Sequence, residues 1–168
     1  DEKVAIATVL TMVAKKSPFA EINRANVEDY LNKLTEDTKA HWGIMTPQHM
    51  IEHLEMGFLN AIGKEKVAIV TPEEHLEKYQ DSLWNYRAMP KNFSMPAMKK
   101  GETEKLRHES LMKAKEAFLE AWDEYEVYFK ENPEAETSNA VFGNLNKDHW
   151  ELLNRKHFHH HFEQFGLL

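Results

Sequence analysis

The histidines near the carboxyl end of the chain are the residues best suited to chemistry. Five of the ten histidines lie between positions 149 and 161, and four of them fall in the run KHFHHHFEQFG over 156–166. Phenylalanines interrupt this run, and Gly166 closes it like a helix C-cap, so it is not a purification tag. His157 and His161 are four residues apart, which places both on one face of a helix. This is the His–His spacing of helical zinc motifs.

A third ligand from another helix would complete a three-ligand site with open positions, the arrangement of catalytic metals. His53 is the candidate, although its place on a polar strip beside an apolar stripe fits a surface residue equally well. The chain has no cysteine, which excludes thiolate ligands and disulfides. The remaining ligand types suit zinc, nickel, iron, cobalt or manganese, and the sequence does not choose among these divalent metals.

Several neighbours of these histidines have weaker claims. His160 points about 100° away from His161 on a helix, so we expect it to support a ligand or to lie at the surface. His49 lies one turn before His53 and is either a fourth ligand, a proton shuttle or, the favoured interpretation, an exposed residue. Gln164 shares the face of His161 and either orients a ligand or substrate or packs against another helix.

Two other polar residues lie close to the candidate ligands, either in the sequence or on a predicted helix face. Glu52 precedes His53 in the sequence without sharing its face, so we expect its carboxylate to be exposed. Asn154 lies on the same predicted face as His157, where it either contributes to the site or packs in the core.

Composition limits the class of protein. The chain has 168 residues, enough for one domain with a core, and 42% of them are hydrophobic. Six glycines and six prolines favour helices over a turn-rich β fold. The net charge is -7 and no basic cluster extends beyond 98–101, so we do not expect nucleic acid as a partner.

The amino-terminal segment stands apart from the rest. Residues 4–14 form the longest apolar run, which is too short to span a bilayer and lacks the basic flank of a signal peptide. We therefore expect a cytoplasmic protein without a membrane partner. The β-branched residues of 4–13 predict a strand, which would pair across a dimer or end a preceding domain. Residues 1–18 are interpreted as this extended segment, and a chain that begins with Asp is interpreted as a piece of a longer protein.

The remainder, 19–168, predicts a four-helix bundle with an extra short helix. Thr46 and Pro47 mark the start of the second helix, Thr71 and Glu74 a capping box before the short helix, and Asn146 the start of the last helix. Irregular connections are expected over 85–101 and 134–139. The predicted helices run over 24–39, 46–63, 71–84, 104–132 and 146–165.

Two motifs carry a family resemblance. Residues 46–54 (TPQHMIEHL) resemble the second-helix motif of the DinB-like superfamily. The segment FGNL at 142–145, followed by Trp150, the paired histidines and QFG at 164–166, resembles the carboxyl-terminal signature of an uncharacterised branch of that superfamily. The resemblance covers about 25–168 and implies an all-α, DinB-like four-helix bundle. It places the superfamily's metal-binding histidine triad on His53, His157 and His161, and it implies a homodimer.

Residues 4–15 resemble the last strand of the MaoC-like hydratase domain found in bifunctional phenylacetate ring-opening proteins. Those proteins join an oxepin-CoA hydrolase to an aldehyde dehydrogenase. The resemblance implies that this chain is an additional domain of such a fusion, with a link to phenylacetate degradation.

Together these observations predict a metal-binding domain that acts on a small molecule. Characterised members of the superfamily are metal-dependent thiol transferases or related enzymes, so the expected reaction is hydrolysis or thiol transfer, with a CoA thioester or a reactive phenylacetate product as substrate. A metal would polarise a carbonyl or lower the pKa of a water molecule. The alternative is a non-catalytic dimerisation or docking module with a structural or vestigial metal site. Nucleophile-elbow, phosphate-loop and dinucleotide motifs are missing from the sequence.

Overall fold

The computed structural model describes residues 3, 5, 19, 21–91, 93 and 101–168. This part of the chain is mostly helical, with one small antiparallel sheet of two strands. Lys3 and Ala5 are also helical, and Ala5 is the one described residue of the strand expected over 4–13; the rest of that prediction lies outside the described residues. The main elements are α1 (Val27–Leu31), α2 (Pro47–Ala61), α3 (Glu73–Ser82), α4 (Leu111–Glu131), β1 (Thr137–Asn139), β2 (Gly143–Leu145) and α5 (Lys147–Gln164).

Helix α2 begins where the sequence predicts. The Thr46 side chain accepts a hydrogen bond from the backbone N–H of His49, and Pro47 occupies the first helical position. The apolar stripe then faces the core, with five hydrophobic side chains at most 1% exposed: Met50, Ile51, Leu54, Phe58 and Ala61. The helix ends before Gly63, whose φ of 72° lies in the left-handed region.

Helix α5 also follows its local signals. Asn146 Oδ1 accepts a hydrogen bond from the backbone N–H of His149 at 3.0 Å, which caps the amino end. At the carboxyl end, Gly166 has a φ of 68°, and the N–H of Leu167 donates to the carbonyl of Phe162 at 2.8 Å. This is the Schellman arrangement that terminates a helix at glycine.

Helices α2 and α5 run antiparallel. Near one end of the pair, Thr137 Oγ1 donates to the carbonyl of Ala61 at 2.6 Å and accepts from the indole N–H of Trp150 at 2.8 Å. Nearer the middle of the two helices, the ring centroids of His53 and His157 are 4.6 Å apart. Helix α4 completes the core, with the rings of Trp122 and Phe158 centred 4.8 Å apart.

The first predicted long helix is wrong in length. A helix was expected over 24–39, but α1 covers only Val27–Leu31. Lys115 on α4 donates to the backbone carbonyls of Leu31 and Leu34 at 2.7 and 2.6 Å, so these acceptors are bonded without further helical turns. The described residues thus hold three long helices rather than four.

Three smaller predictions also need correction. The capping box expected at Thr71 does not form, because Pro72 is the N-cap of α3 and makes no side-chain cap. Helix α4 begins at Leu111 rather than near 104, with Ser110 as its N-cap. The expected polar loop over 134–139 contains β1, in which Thr137 pairs with Leu145 of β2.

Among the helices of the described residues, none combines the length and the apolarity that crossing a membrane requires.

Candidate metal centre

Three histidines from two helices converge at the interface of α2 and α5. His53 comes from the middle of α2, and His157 and His161 come from successive turns of α5. The ring centroids are 4.6 Å apart for His53 and His157, 5.0 Å for His53 and His161, and 4.8 Å for His157 and His161. One ring nitrogen from each lies within 4.8 Å of the other two. The structure therefore places His157 and His161, the pair that the helical spacing singled out, beside His53, the candidate third ligand.

The distances among these nitrogens are close to those of a shared metal. A zinc ion at about 2.1 Å from each of two imidazole nitrogens holds those nitrogens about 3.4 Å apart in a tetrahedral site. His53 Nε2 and His157 Nε2 are 2.7 Å apart, a hydrogen-bond distance. Small rotations of the two rings would move these nitrogens apart by less than about 1 Å and so reach the separation found around a shared metal. His53 and His157 are half-buried and His161 is buried.

Gln164 fixes the proton position on His161. The amide nitrogen Nε2 of Gln164 donates to the backbone carbonyl of Trp42 at 2.9 Å, which leaves Oε1 as the acceptor facing His161. Oε1 lies 2.8 Å from Nδ1 of His161, so Nδ1 carries the proton. Nε2 of His161 then keeps a lone pair, the state needed to bind a metal.

The backbone around Trp42 and Gly43 completes this support. Gly43 has a φ of 78°, and a Cβ at this position would lie 2.9 Å from Nε2 of Gln164. The N–H of His41 also donates to the carbonyl of Gln164 at 2.8 Å. The segment before α2 therefore holds the end of α5 in place beside the histidine cluster.

Burial keeps the three imidazoles neutral. Burial, with a smaller contribution from the charge of His160, lowers the pKa of His53 to about 4. Burial likewise lowers the pKa of His161 to about 3, with His53 acting in the same direction and the hydrogen bond to Gln164 opposing it. The pKa of His157 lies well below its usual value, again mainly through burial. At neutral pH all three rings are therefore uncharged bases, which is the form that binds metals.

The other two candidate histidines lie outside the cluster. His49 serves the start of α2: its Nδ1 lies 2.6 Å from Thr46 Oγ1 and accepts from the Thr46 N–H at 3.3 Å. This completes a capping box in which histidine takes the place of the usual glutamate. His160 is half-buried, and its ring meets those of Trp42 and His161 edge-on, with centroids 5.6 and 4.9 Å away.

Glu52 is not the exposed carboxylate that its position suggested. It is 5% exposed, as is Glu55 one turn later. Glu52 accepts from the backbone N–H of Arg107, and the Arg107 guanidinium donates to Glu55 Oε2 at 2.9 Å. His108 Nε2 lies 2.8 Å from the same oxygen. These contacts, which no local pattern indicated, tie residues 107 and 108 to the helix that carries His53.

Searches with this chain against protein-family models, curated proteins and solved structures found no match. The residues of the histidine cluster and their geometry therefore indicate what this chain can do.

Proposed function

We propose that this chain is a metal-binding helical domain of DinB-like type in which His53, His157 and His161 hold one divalent transition metal. The convergence of three neutral imidazoles from two helices carries the proposal. Nitrogen ligands of this kind suit zinc, nickel or iron. The bundle and the homodimer implied by the sequence resemblance, and the cytoplasmic location expected from the amino-terminal sequence, belong to the same proposal.

The proposed activity is hydrolysis or thiol transfer on a small electrophilic substrate, with a CoA thioester or a reactive product of phenylacetate degradation as the candidate. A metal held by three imidazoles supplies Lewis acidity toward a carbonyl oxygen or a water molecule. The half-buried sides of His53 and His157 give a small molecule access to the cluster. Gln164 accepts the hydrogen bond from the protonated Nδ1 of His161, which leaves Nε2 as the nitrogen with a free lone pair.

A second candidate, a docking or dimerisation module with a structural metal, is favoured by the position of the cluster. Its three side chains bridge α2 and α5, and His161 is only 6% exposed. A metal bound there would fasten the two helices together in addition to any chemistry.

Elemental analysis after loading with zinc, nickel or iron tests the metal site. Wild-type protein should retain about one equivalent of metal per chain, and His157→Ala should retain almost none. His75→Ala is the control, because His75 is an exposed histidine on α3. Equal metal content in wild type and His157→Ala would contradict the proposal.

Turnover and melting temperature separate the two candidates. Metal-loaded wild type is assayed for hydrolysis of acetyl-CoA and for displacement of chloride from chlorodinitrobenzene by the thiolate of cysteine, beside His53→Ala and His75→Ala. An activity lost in His53→Ala and kept in His75→Ala supports the enzyme. A metal-dependent rise in melting temperature without turnover supports the docking module.

A further inference from the structure

A polar cleft lies apart from the three clustered histidines. It has a volume of about 120 Å³ and opens between α4, α5 and residues 22–24. The aromatic rings of Phe58 and Phe158 form part of its wall, and none of the three clustered histidines lines it. Its polar lining includes Arg24, Tyr125, Glu151, Asn154 and Arg155. A concave site with an apolar wall and few polar groups is the usual form of a small-molecule pocket.

Asn154 is the group in this lining that lacks a partner. Its side chain is 5% exposed, and its amide nitrogen is buried without a hydrogen bond. The amide lies beside the phenol of Tyr125, close enough to lower its pKa, but within the described part of the chain its nitrogen makes no hydrogen bond of good geometry. A buried donor in this state is unfavourable for the folded protein. A ligand that accepts a hydrogen bond from this amide would be a physical reason for the presence of Asn154.

Tyr125 adds a second donor at the same place. Tyr125 is 5% exposed, and among the described residues its hydroxyl donates to Glu151 Oε2 over 3.4 Å. This distance is long for a hydrogen bond between two oxygens, whose usual separation is about 2.7 Å. The hydroxyl can therefore turn to a better acceptor. Asn154 and Tyr125 together offer two donors to one acceptor atom.

The charges around the cleft are paired with one another. Arg24 Nε binds Asp123 at 2.7 Å, and Arg155 Nη2 binds Glu151 at 2.7 Å. Each guanidinium already faces a carboxylate, and Glu126, a further carboxylate of the lining, accepts from the Trp122 indole N–H at 3.2 Å. The two guanidiniums are therefore not free to bind an anion. The indole of Trp122 and the two phenylalanines supply an aromatic surface instead.

From this geometry we infer that the cleft binds an uncharged small molecule with a carbonyl oxygen and an aromatic body. The carbonyl accepts from the Asn154 amide and the Tyr125 hydroxyl, while the aromatic body packs against Trp122, Phe58 and Phe158. This inference does not depend on the metal or on the proposed activity, since the two sites share no lining residue.

Titration with benzamide, followed by two-dimensional nitrogen–proton NMR of the whole chain, tests the cleft. Wild type should show saturable shifts at the Asn154 side-chain amide and the Trp122 indole N–H. Toluene lacks the carbonyl and benzoate carries a charge, so both should bind at least about ten-fold more weakly than benzamide, the usual cost of leaving a buried hydrogen-bonding group unpaired.

Two variants locate the binding. Asn154→Leu keeps the volume and removes the donor, so benzamide affinity should fall about ten-fold while the melting temperature stays equal or rises. Tyr125→Phe should weaken benzamide several-fold. Tyr79→Phe is the control, because Tyr79 is 39% exposed and lies outside the lining.

Absence of saturable shifts in wild type would overturn the inference, as would toluene or benzoate binding as tightly as benzamide. Unchanged benzamide affinity in Asn154→Leu would also overturn it. If Asn154→Leu does not fold, Tyr125→Phe decides: equal affinity to wild type rejects the inference and several-fold weaker affinity supports it.

Discussion

The side chain of Gln164 holds His161 in one tautomer, with Gln164 Oε1 2.8 Å from His161 Nδ1 in a buried contact. The donor side of the same amide is fixed by the carbonyl of Trp42. One glutamine therefore connects the segment before α2 to a histidine on α5. Its effect on the proposed metal site can be separated from the ligands themselves.

Gln164→Leu should weaken metal binding without removing a ligand. The variant keeps the size of the side chain but leaves His161 free to rotate and to change tautomer, and loss of such a supporting hydrogen bond typically weakens metal affinity about 10–100-fold. Competition with a chelator of known zinc affinity measures the change. Gln80→Leu is the control, since Gln80 bonds the carbonyl of Phe142, 62 residues away, and does not touch the cluster. Equal affinities in wild type and Gln164→Leu would contradict the assignment.

Gly43→Ala should disturb the same support through the backbone. The new Cβ would lie 2.9 Å from Gln164 Nε2, at a φ of 78° that alanine rarely adopts. The conformation alone costs roughly 1–2 kcal/mol. Displacement of Gln164 should then lower metal affinity as well.

Gly63→Ala is a matched control for this variant. Gly63 has a φ of 72°, but no atom lies within 4 Å of its added Cβ. It should therefore reproduce the loss of stability from backbone strain and leave metal affinity unchanged. Chemical denaturation and zinc competition on both variants check the comparison. If both variants bound zinc equally well, the contact between Gly43 and Gln164 would have no role in the site.

The local features of the site could be predicted from the sequence, whereas its long-range support could not. The caps at Thr46 and Asn146 and the spacing of His157 and His161 involve residues within four positions of each other, where helix geometry fixes the relationship. The contact between Gln164 and Trp42 joins residues 122 positions apart. No helical periodicity encodes such a pair, because it depends on how the elements pack.

The shortened α1 and the delayed start of α4 have the same origin. Lys115 donates to the backbone carbonyls of Leu31 and Leu34, which lie 84 and 81 residues away in the sequence. Arg107 binds Glu55, which lies 52 residues away. These tertiary contacts satisfy backbone and side-chain groups that the local sequence would have placed in longer helices. The local pattern therefore predicted the presence of these helices correctly, but it did not predict where α1 ends or where α4 begins.

Arg107→Ala should destabilise the protein more than removal of an exposed ion pair. Arg107 is the guanidinium partner of Glu52 and Glu55, whose side chains are 6% and 7% exposed. Removing the cation leaves buried carboxylates with fewer partners, which costs about 3 kcal/mol before allowance for the 34% exposure of Arg107. Lys64→Ala breaks a pair whose side chains are 59% and 46% exposed, and it should cost less than about 1 kcal/mol. Equal urea midpoints for the two variants would contradict this ranking.

Tyr125 should make the protein less stable in alkali. Burial raises the pKa of Tyr125 well above its usual value near 10, and the charge of Glu151 raises it further. Above pH 10 the unfolded chain loses this proton while the folded chain keeps it, so the unfolded state is favoured as the pH rises. The stability present below pH 10 should therefore decline by up to about 1.4 kcal/mol per pH unit above it. Urea unfolding between pH 8 and 11 should show this decline in wild type and in Tyr79→Phe, and a shallower one in Tyr125→Phe. Parallel curves for wild type and Tyr125→Phe would mean that the phenol of Tyr125 ionises in the folded protein as it does in the unfolded chain.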